Sequence, residues 1–149
     1  MRTILVSDLF SDGTRQDTHV LIGTLRGLGL RVDAASGTSG YGIQVGTGTN
    51  AVTVSDTKLQ TQIAHGVGSG QLFYGAMSFV APLTDATTSY FSMNRTFTNS
   101  SGSTITIQEI GLAMLQTYNF LIIRDIPSAP IALDNTDILS LKYTLVATA

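Results

Sequence analysis

The sequence predicts a mainly β protein, an antiparallel β-sandwich or jelly roll with one or two short helices in its N-terminal half. Three observations predict this fold class. The segment Ile138–Ala147 alternates apolar and polar residues with the period of two that marks a half-buried strand. The chain has 21 threonines, whose β-branched side chains suit a pleated sheet. Several short apolar runs are separated by turn residues at fairly even spacing, as in antiparallel sandwiches.

The composition describes one globular unit with an unusually uncharged surface. Charged residues make up 12% of the 149 residues, against roughly 25% in an average soluble domain. The 14 serines and 21 threonines supply polarity instead. Because the cores of protein interfaces are depleted in charge, this composition favours a homo-oligomer in which part of the surface lies against neighbouring subunits.

Charge and hydropathy argue against several classes of partner. The net charge is −2, and the eight basic residues are scattered from Arg2 to Lys142, so no cationic groove for nucleic acid is expected. No run approaches the roughly 20 apolar residues of a membrane span. The chain has no cysteine and begins without a recognisable signal peptide, which predicts synthesis in the cytoplasm.

The N-terminal part is predicted to differ from the rest. Residues 1–40 are interpreted as an arm or helix that could dock the protein, and residues 41–149 as the sandwich domain. A first helix is predicted after Asp17 or Thr18, with apolar residues following at helical spacing. An extended conformation is the alternative, because Gly23 and Gly27 weaken a helix. A second short helix is predicted to begin at Ser55 or Asp56 and to carry Leu59 and Ile63.

The middle of the chain contains further strand candidates. A short strand, Ile43–Val45, runs into the glycines Gly46 and Gly48, which are interpreted as turn formers because no phosphate-binding lysine or third glycine follows. Gln71–Leu83 is predicted to be one long strand, with Pro82 at its end or on a sheet edge. The next strand, Ser89–Asn99, alternates and places Arg95 on its apolar face.

The C-terminal third is predicted to hold three strands. Asn99–Gly102 is interpreted as a hairpin-type connection with Gly102 as its turn glycine. The first strand, Thr104–Met114, changes phase at Glu109-Ile110, which predicts a β-bulge. The other strands are Tyr118–Ile126 and Ile138–Ala147.

Few residues of this chain suit chemistry. Glu109 is the only glutamate and is predicted to form a structural ion pair with Arg95 or Arg124, in or near the core. His19 and His65 show no spacing typical of a metal site, and no serine lies in a nucleophile elbow. The sequence therefore predicts no enzyme, with no catalytic, cofactor-binding or metal-binding residue. A glycan-binding surface built from tyrosines stays as an alternative, the candidates being Tyr41, Tyr74, Tyr90 and Tyr118.

The order of short motifs resembles small virion structural proteins of tailed bacteriophages. Residues 104–112 (TITIQEIGL) are similar to a strand that ends in E-(I/V)-G-L, and residues 121–126 (LIIRDI) to one that ends in L-x-x-R. Residues 130–145 match the approach to a last strand, and residues 43–59 match a V-G-T-G-T stretch followed by D-T-x-L. The resemblance covers roughly residues 42–145, and the first 40 residues depart from it.

This resemblance implies a fold, a location and partners. It implies a non-enzymatic capsid decoration (cement), head-fibre or tail-fibre type β-sandwich on the virion, made in the host bacterial cytoplasm. The expected partners are copies of the same chain and other capsid or tail proteins. Within the matched motifs, Glu109 and Arg124 would be a structural pair, and Gly46 and Gly48 turn formers. A receptor- or glycan-binding module of a tail fibre or baseplate is the alternative function.

Overall fold

A computed structural model describes residues 31–84, 86–115 and 118–148, and within these residues the chain is mainly β and contains no helix. All strand pairs are antiparallel, so the predicted antiparallel β class is confirmed. The strands are β1 (Gly42–Gly46), β2 (Phe73–Tyr74), β3 (Ser78–Thr84), β4 (Thr88–Thr98), β5 (Ile105–Ile107), β6 (Glu109–Leu115), β7 (Asn119–Asp125), β8 (Ile131–Leu133) and β9 (Ile138–Thr148).

The first sheet has the order β1-β6-β7. Gly46 lies opposite Glu109 at one end of the β1–β6 ladder, and Gly42 lies opposite Ala113 near the other. The β6–β7 ladder shifts register between Leu112 and Ala113, which leaves one extra residue in β7. Because β6 and β7 are antiparallel, the start of β6 and the end of β7 lie at the same end of the sheet.

The second sheet is built around β4. Strand β9 pairs with β4 over eleven residues, from Thr88–Thr148 to Thr98–Ile138, without a register shift. Strands β2 and β3 share the opposite edge of β4. The β3–β4 ladder shifts register between Val80 and Leu83, and Pro82 lies within this irregularity, as expected for a proline in an edge strand.

The predicted strand Gln71–Leu83 is wrong in its extent, because the structure divides it into β2 and β3. Gly75 still donates to β4, at the carbonyl of Thr96, 2.8 Å away, but Met77 donates to the carbonyl of Ala34, outside the sheet, at 2.8 Å. The pairing with β4 is therefore interrupted before β3 begins.

A third, two-stranded sheet pairs β5 with β8. The chain passes from β5 to β6 through Gln108, whose backbone N–H donates to the carbonyl of Gly46 at 2.9 Å. The phase change at Glu109-Ile110 thus marks a change of sheet, and the bulge predicted there is wrong. The hairpin predicted at Asn99–Gly102 is also wrong, because β4 pairs with β9 and β5 with β8.

One apolar core joins the three sheets. Its buried side chains come from β1, β2, β4, β5, β6 and β8 and from the segment 63–72: Ile43, Val45, Ile63, Leu72, Tyr74, Met93, Phe97, Ile105, Ile107, Leu112 and Leu133. Leu139, Leu141 and Tyr143 of β9 pack against this cluster while their neighbours are exposed, so the predicted alternation holds from Leu139 to Tyr143, whereas Leu145 is exposed. Each fully buried aliphatic or aromatic side chain contributes about 1.5–3 kcal/mol to folding.

The helix predicted at residues 55–63 is wrong. Its backbone donors are used by partners outside the segment: Gln60 and Thr61 donate to the Glu109 carboxylate, and Ile63 donates to the carbonyl of Val45. A helix would need these N–H groups for its own ladder. The earlier helix, predicted after Asp17, lies outside the described residues.

Residues 31–40, which the sequence assigns to the arm, contact the sheets. Arg31 forms an antiparallel bridge with Leu115, and Ala34 is buried.

The described residues include no helix that could span a membrane.

Candidate functional site

Glu109 is the centre of a buried polar network. Its side chain opens β6 and is 0% exposed. Oε1 accepts hydrogen bonds from the backbone N–H of Gly48 at 3.1 Å and of Thr61 at 2.6 Å. Oε2 accepts from the N–H of Gln60 at 2.9 Å and from Arg124 Nε at 2.9 Å. Both carboxylate oxygens are therefore occupied by donors of the protein itself.

Arg124 extends this network to the segment before Leu59. Its Nη1 donates to Asp56 Oδ2 at 3.0 Å and to the carbonyl of Ala51 at 3.4 Å. Its Nη2 donates to the carbonyl of Asn50 at 3.1 Å. The structure thus joins Glu109 to Arg124, one of the two arginines that the sequence offers, and uses the pair to hold residues 48–61 against the first sheet.

The network fixes the charge states of its members. Burial works to raise the pKa of Glu109, but the N–H donors of Thr61, Gln60 and Gly48 and the Arg124 guanidinium outweigh it, so the pKa lies below its ordinary value. Burial works to lower the pKa of Arg124, and its two carboxylate partners raise it overall. Ion pairs and hydrogen bonds therefore keep both groups charged at neutral pH.

Gly46 and Gly48 allow the backbone to approach Glu109. Neither has a positive φ. A Cβ on Gly46 would collide with Glu109 Oε1 and lie 2.5 Å from the carbonyl oxygen of Thr61. A Cβ on Gly48 would lie 2.6 Å from the same Oε1. Gly102 has a φ of 83°, in the left-handed region that glycine adopts without strain.

Arg95 lies apart from Glu109, in a second polar cluster. It is 1% exposed on the core face of β4, and its donors meet backbone carbonyls. Nε donates to Gly75 at 2.9 Å, Nη1 to Ile43 at 2.8 Å and to Tyr41 at 3.1 Å, and Nη2 to Thr38. Within the described residues no carboxylate forms an ion pair with Arg95, so the predicted acidic partner is wrong for this arginine.

Aromatic rings complete the surroundings of Arg95. Its guanidinium carbon lies 4.8 Å from the ring centre of Tyr74 and 5.9 Å from that of Phe97. Burial lowers the pKa of Arg95 to about 10, which leaves the guanidinium charged at neutral pH. This cation connects the loop before β1 to the second sheet through carbonyl contacts and cation–π contacts.

Asn99 is a structural residue that sequence reasoning missed. Its fully buried side chain donates from Nδ2 to the carbonyls of Ser103 at 2.8 Å and of Leu133 at 2.7 Å. Its Oδ1 accepts from the N–H of Ser101 at 3.0 Å and from the Ser101 hydroxyl at 2.8 Å. The Asn-Ser-Ser-Gly turn was the available signal, because asparagine often bonds to the backbone two residues on.

The histidine that the structure describes has a structural environment. His65 Nδ1 accepts a hydrogen bond from the N–H of Tyr74 at 3.1 Å, and the ring lies 5.1 Å from that of Phe73. Tyr74 donates its hydroxyl proton to the carbonyl of Ile63 at 2.6 Å. In residues 31–84, 86–115 and 118–148, no group of three His, Asp or Glu side chains could hold a metal ion. His19 lies outside these ranges.

The four candidate tyrosines do not form one platform. Tyr74 is buried in the core, and Tyr41 is half-buried beside the Arg95 cluster. Tyr90 is exposed on the second sheet, and Tyr118 is exposed between β6 and β7. A tyrosine-based glycan surface therefore has no common site among these residues.

The outer face of the second sheet carries an apolar row, which we call the outer row: Leu83, Tyr90 and Val146. The three residues are in register across β3, β4 and β9, so their side chains lie side by side on one face. They are 52%, 37% and 59% exposed. Val80 is in register with Ser92 beside the row and is also exposed. Adjacent apolar side chains on one exposed face are typical of an interaction surface.

The described surface also has an open cavity of about 390 Å³ beside the first sheet. Amide side chains and one aromatic ring contribute to its lining, namely Gln44, Gln60, Gln62, Asn119 and Phe120. Gln44 and Gln62 each donate from Nε2 to the carbonyl of Ser39, at 2.7 and 2.6 Å. Lys58 also lines the cavity, which thus combines amide groups and one cation with an exposed ring.

Comparison of the chain with protein-family models, with curated proteins and with solved structures finds no match.

Proposed function

We propose that this protein is a non-enzymatic structural component of a bacteriophage virion, a capsid decoration (cement) or fibre protein that assembles through its β-sheets. The observation that carries this proposal is the outer row. A sheet that presents Leu83, Tyr90 and Val146 side by side gains free energy when another protein surface covers it.

The proposed architecture is a β-sandwich. The buried side chains of β1 and β6 belong to the same core cluster as those of β4, which supports face-to-face packing of the first and second sheets. The β5–β8 pair contributes Ile105, Ile107 and Leu133 to this cluster. A sandwich with a buried inner face leaves the outer faces for contacts with other chains.

The state of the polar groups supports a role without catalysis. The Glu109 carboxylate has no free lone pair directed to a substrate, and the donors of Arg95 and Arg124 are used by carbonyls and carboxylates of the chain. A general acid or base needs a proton path to a bound substrate. These buried charges instead connect loops to sheets.

The place of the protein in a virion is supported by the order of its motifs. The E-I-G-L and L-x-x-R segments, which resemble those of small virion proteins, are the segments that place Glu109 on β6 and Arg124 on β7. We propose that the partners are further copies of the chain and other capsid or tail proteins, and that residues 1–40 include the docking arm.

The experiment that tests assembly is the oligomeric state of the full chain by sedimentation velocity over a wide concentration range. Val146→Thr, which keeps the side-chain shape and removes apolar character from the outer row, should weaken self-association or binding to purified virions. Val67→Thr makes the same change at an exposed loop residue and should leave both unchanged. A chain that stays monomeric at millimolar concentration and is absent from virions by mass spectrometry would contradict the proposal.

The second candidate is a glycan- or receptor-binding module, which the amide-lined cavity favours. Neutral amides and an aromatic ring such as Phe120 match the hydroxyls and apolar faces of a sugar. A glycan array with the full chain tests this function. Binding that is lost with Asn119→Ala and kept with Val146→Thr would favour it over assembly.

A further inference from the structure

We propose that two copies of this chain join edge to edge through β9, running antiparallel about a two-fold axis, with Tyr143 opposite Tyr143 of the second copy. The inference rests on the proposed assembly function and names its partner and its register. The result would be one continuous sheet with the strand order β3-β4-β9 in the first copy followed by β9-β4-β3 in the second copy.

The two edges of the second sheet differ in how readily another strand could pair with them. The β3 edge carries Pro82 and a register irregularity between Val80 and Leu83, two features that block the addition of a strand. The β9 edge has neither, because the β4–β9 ladder is regular from Ile138 to Thr148 and contains no proline. Among the described residues β4 is the only strand that pairs with β9. Within residues 31–84, 86–115 and 118–148 this edge of β9 is therefore long and unpaired.

Charge does not protect this edge either. Lys142 is the only charged side chain in β9, although edge strands usually carry several charges to prevent pairing. An eleven-residue strand offers an edge of about 35 Å for backbone hydrogen bonds.

The side-chain pattern of β9 is self-complementary about Tyr143. On the core-facing side, Leu141 would lie opposite Leu145 of the second copy, and Leu139 opposite Ala147. A two-fold contact requires this kind of symmetry, because each residue meets the residue at the mirrored position. The pattern thus favours a second copy of this chain as the occupant of the edge.

The position of Lys142 excludes the register centred on this residue. Pairing about Lys142 would place two ammonium groups directly opposite each other, which is destabilising. Pairing about Tyr143 places Lys142 opposite Thr144 of the second copy instead, and keeps the same faces aligned. In this register Ser140 lies opposite Val146 of the second copy, so the outer row of each copy ends beside a hydroxyl of the other copy.

Two matched variants test the register through charge. Thr144→Glu and Thr144→Lys both remove the 2.9 Å hydroxyl contact between Thr144 and Ser92, so both change the single chain in the same way there. In the dimer, the carboxylate introduced by Thr144→Glu would attract Lys142 of the second copy, and the ammonium group introduced by Thr144→Lys would repel it. We expect the dissociation constant of the lysine variant to exceed that of the glutamate variant about tenfold, since both symmetry-related cross-strand contacts change sign.

A charge exchange separates this contact from effects within one chain. The double variant Lys142→Thr with Thr144→Lys again places lysine opposite threonine, and its dissociation constant should return to near that of the unmodified protein. Equal dissociation constants for the two Thr144 variants, or a double variant as weak as Thr144→Lys, would overturn the register.

Disulfide trapping gives an independent test, because the chain has no cysteine. Tyr143→Cys would place two sulfur-bearing residues opposite each other, at the Cα separation of about 4.5–5.5 Å that a disulfide tolerates. Oxidation should give a covalent dimer. Leu141→Cys is the matched control, since Leu141 of one copy lies four residues from Leu141 of the other in this register and should not crosslink. Circular dichroism shows whether each variant is folded.

The outcomes separate this inference from the function on which it rests. A folded Tyr143→Cys protein that sediments as an oligomer but does not crosslink would overturn the β9 contact and leave assembly intact. A monomer at every concentration, absent from virions, would overturn both. Crosslinking at Leu141→Cys and not at Tyr143→Cys would assign a different register and overturn the one proposed.

Discussion

The Gly48 backbone N–H lies 3.1 Å from Glu109 Oε1, in a place where a side chain on Gly48 could not fit. Gly46, two residues earlier, passes the same carboxylate on its way out of β1. The chain around residues 46–48 is therefore shaped by the anion that it encloses.

Gly46→Ala is expected to lower the free energy of unfolding by about 1–3 kcal/mol, the usual effect of overpacking a filled site. The added Cβ would meet the carbonyl of Thr61, which as backbone cannot move aside independently. Urea unfolding followed by circular dichroism measures the change. Thr47→Ala, at the exposed residue between the two glycines, should change the midpoint little. Equal effects of both variants would show that the space around Gly46 is not filled.

Glu109→Gln is expected to destabilise the fold by about 3–5 kcal/mol, because it leaves the buried Arg124 cation with only Asp56 as a charged partner. Unfolding in urea measures this change in the free energy of unfolding. Asp33→Asn breaks the ion pair with Arg31 and should change the free energy of unfolding little, because water screens this exposed pair. A Glu109→Gln protein as stable as the Asp33→Asn protein would contradict the importance of the buried network.

Acid should weaken the protein through the same carboxylate. The pKa of Glu109 in the folded state lies below its ordinary value of 4.5, so the unfolded chain binds more protons between the two values. The stabilisation by Glu109 is therefore fully present above pH 4.5 and is lost as the pH falls through the folded-state pKa. Unfolding free energies measured down the acid range should drop more steeply in the unmodified protein than in Glu109→Gln. Parallel pH profiles would refute this assignment.

Arg95→Lys is expected to be strongly destabilising although the charge is kept. Lysine has one nitrogen and cannot place donors against the four separate carbonyls that Arg95 reaches. Each buried carbonyl left without a partner costs about 1–3 kcal/mol. Arg31→Lys, at an exposed arginine, is the matched control and should change the melting temperature little. Similar melting temperatures for the two lysine variants would show that the four carbonyl contacts of the Arg95 guanidinium do not stabilise the fold.

Asn99→Asp is expected to destabilise the turn region by about 1–3 kcal/mol or more, since a carboxylate oxygen would replace Nδ2 against two carbonyls. Asn135→Asp is the control. The Oδ1 of Asn135 accepts from the Gly102 N–H, and a carboxylate can do the same. Thermal unfolding of the two variants should therefore differ clearly. If Asn135→Asp proved the more harmful of the two, the assignment of the Asn99 amide nitrogen would be wrong.

Much of the strand content could be predicted, because alternation reports burial directly. The pattern of β9 and the apolar face of β4 depend only on which side chains face the core. The division of 71–83 into two strands and the change of sheet at Gln108 could not be predicted in this way. Both depend on backbone hydrogen bonds to residues distant in the chain, such as Ala34 and Gly46.

The partners of the buried polar residues could be predicted only in part. Glu109 and Arg124 are charged residues in apolar segments, which predicts a buried pair, and the structure joins them. Arg95 is likewise a charged residue in an apolar segment, but its partners are backbone carbonyls. Because every residue has a carbonyl, the sequence does not indicate which ones bind an arginine. The glycines at 46 and 48 suggested a turn because glycine is common there, whereas their role is space beside a carboxylate that lies far along the chain.

The pairing of Thr98 with Ile138, together with the hydrogen bond from the Asn99 N–H to the carbonyl of Asp137, has a kinetic consequence. The chain leaves the second sheet at Asn99 and returns at Asp137, so the longest ladder among the described strands closes a loop of roughly 40 residues. The β6–β7 pair lies inside that loop and needs only local contacts to form. We therefore expect β6 and β7 to associate early and the β4–β9 ladder to form late, at the slow rates typical of non-local β topology.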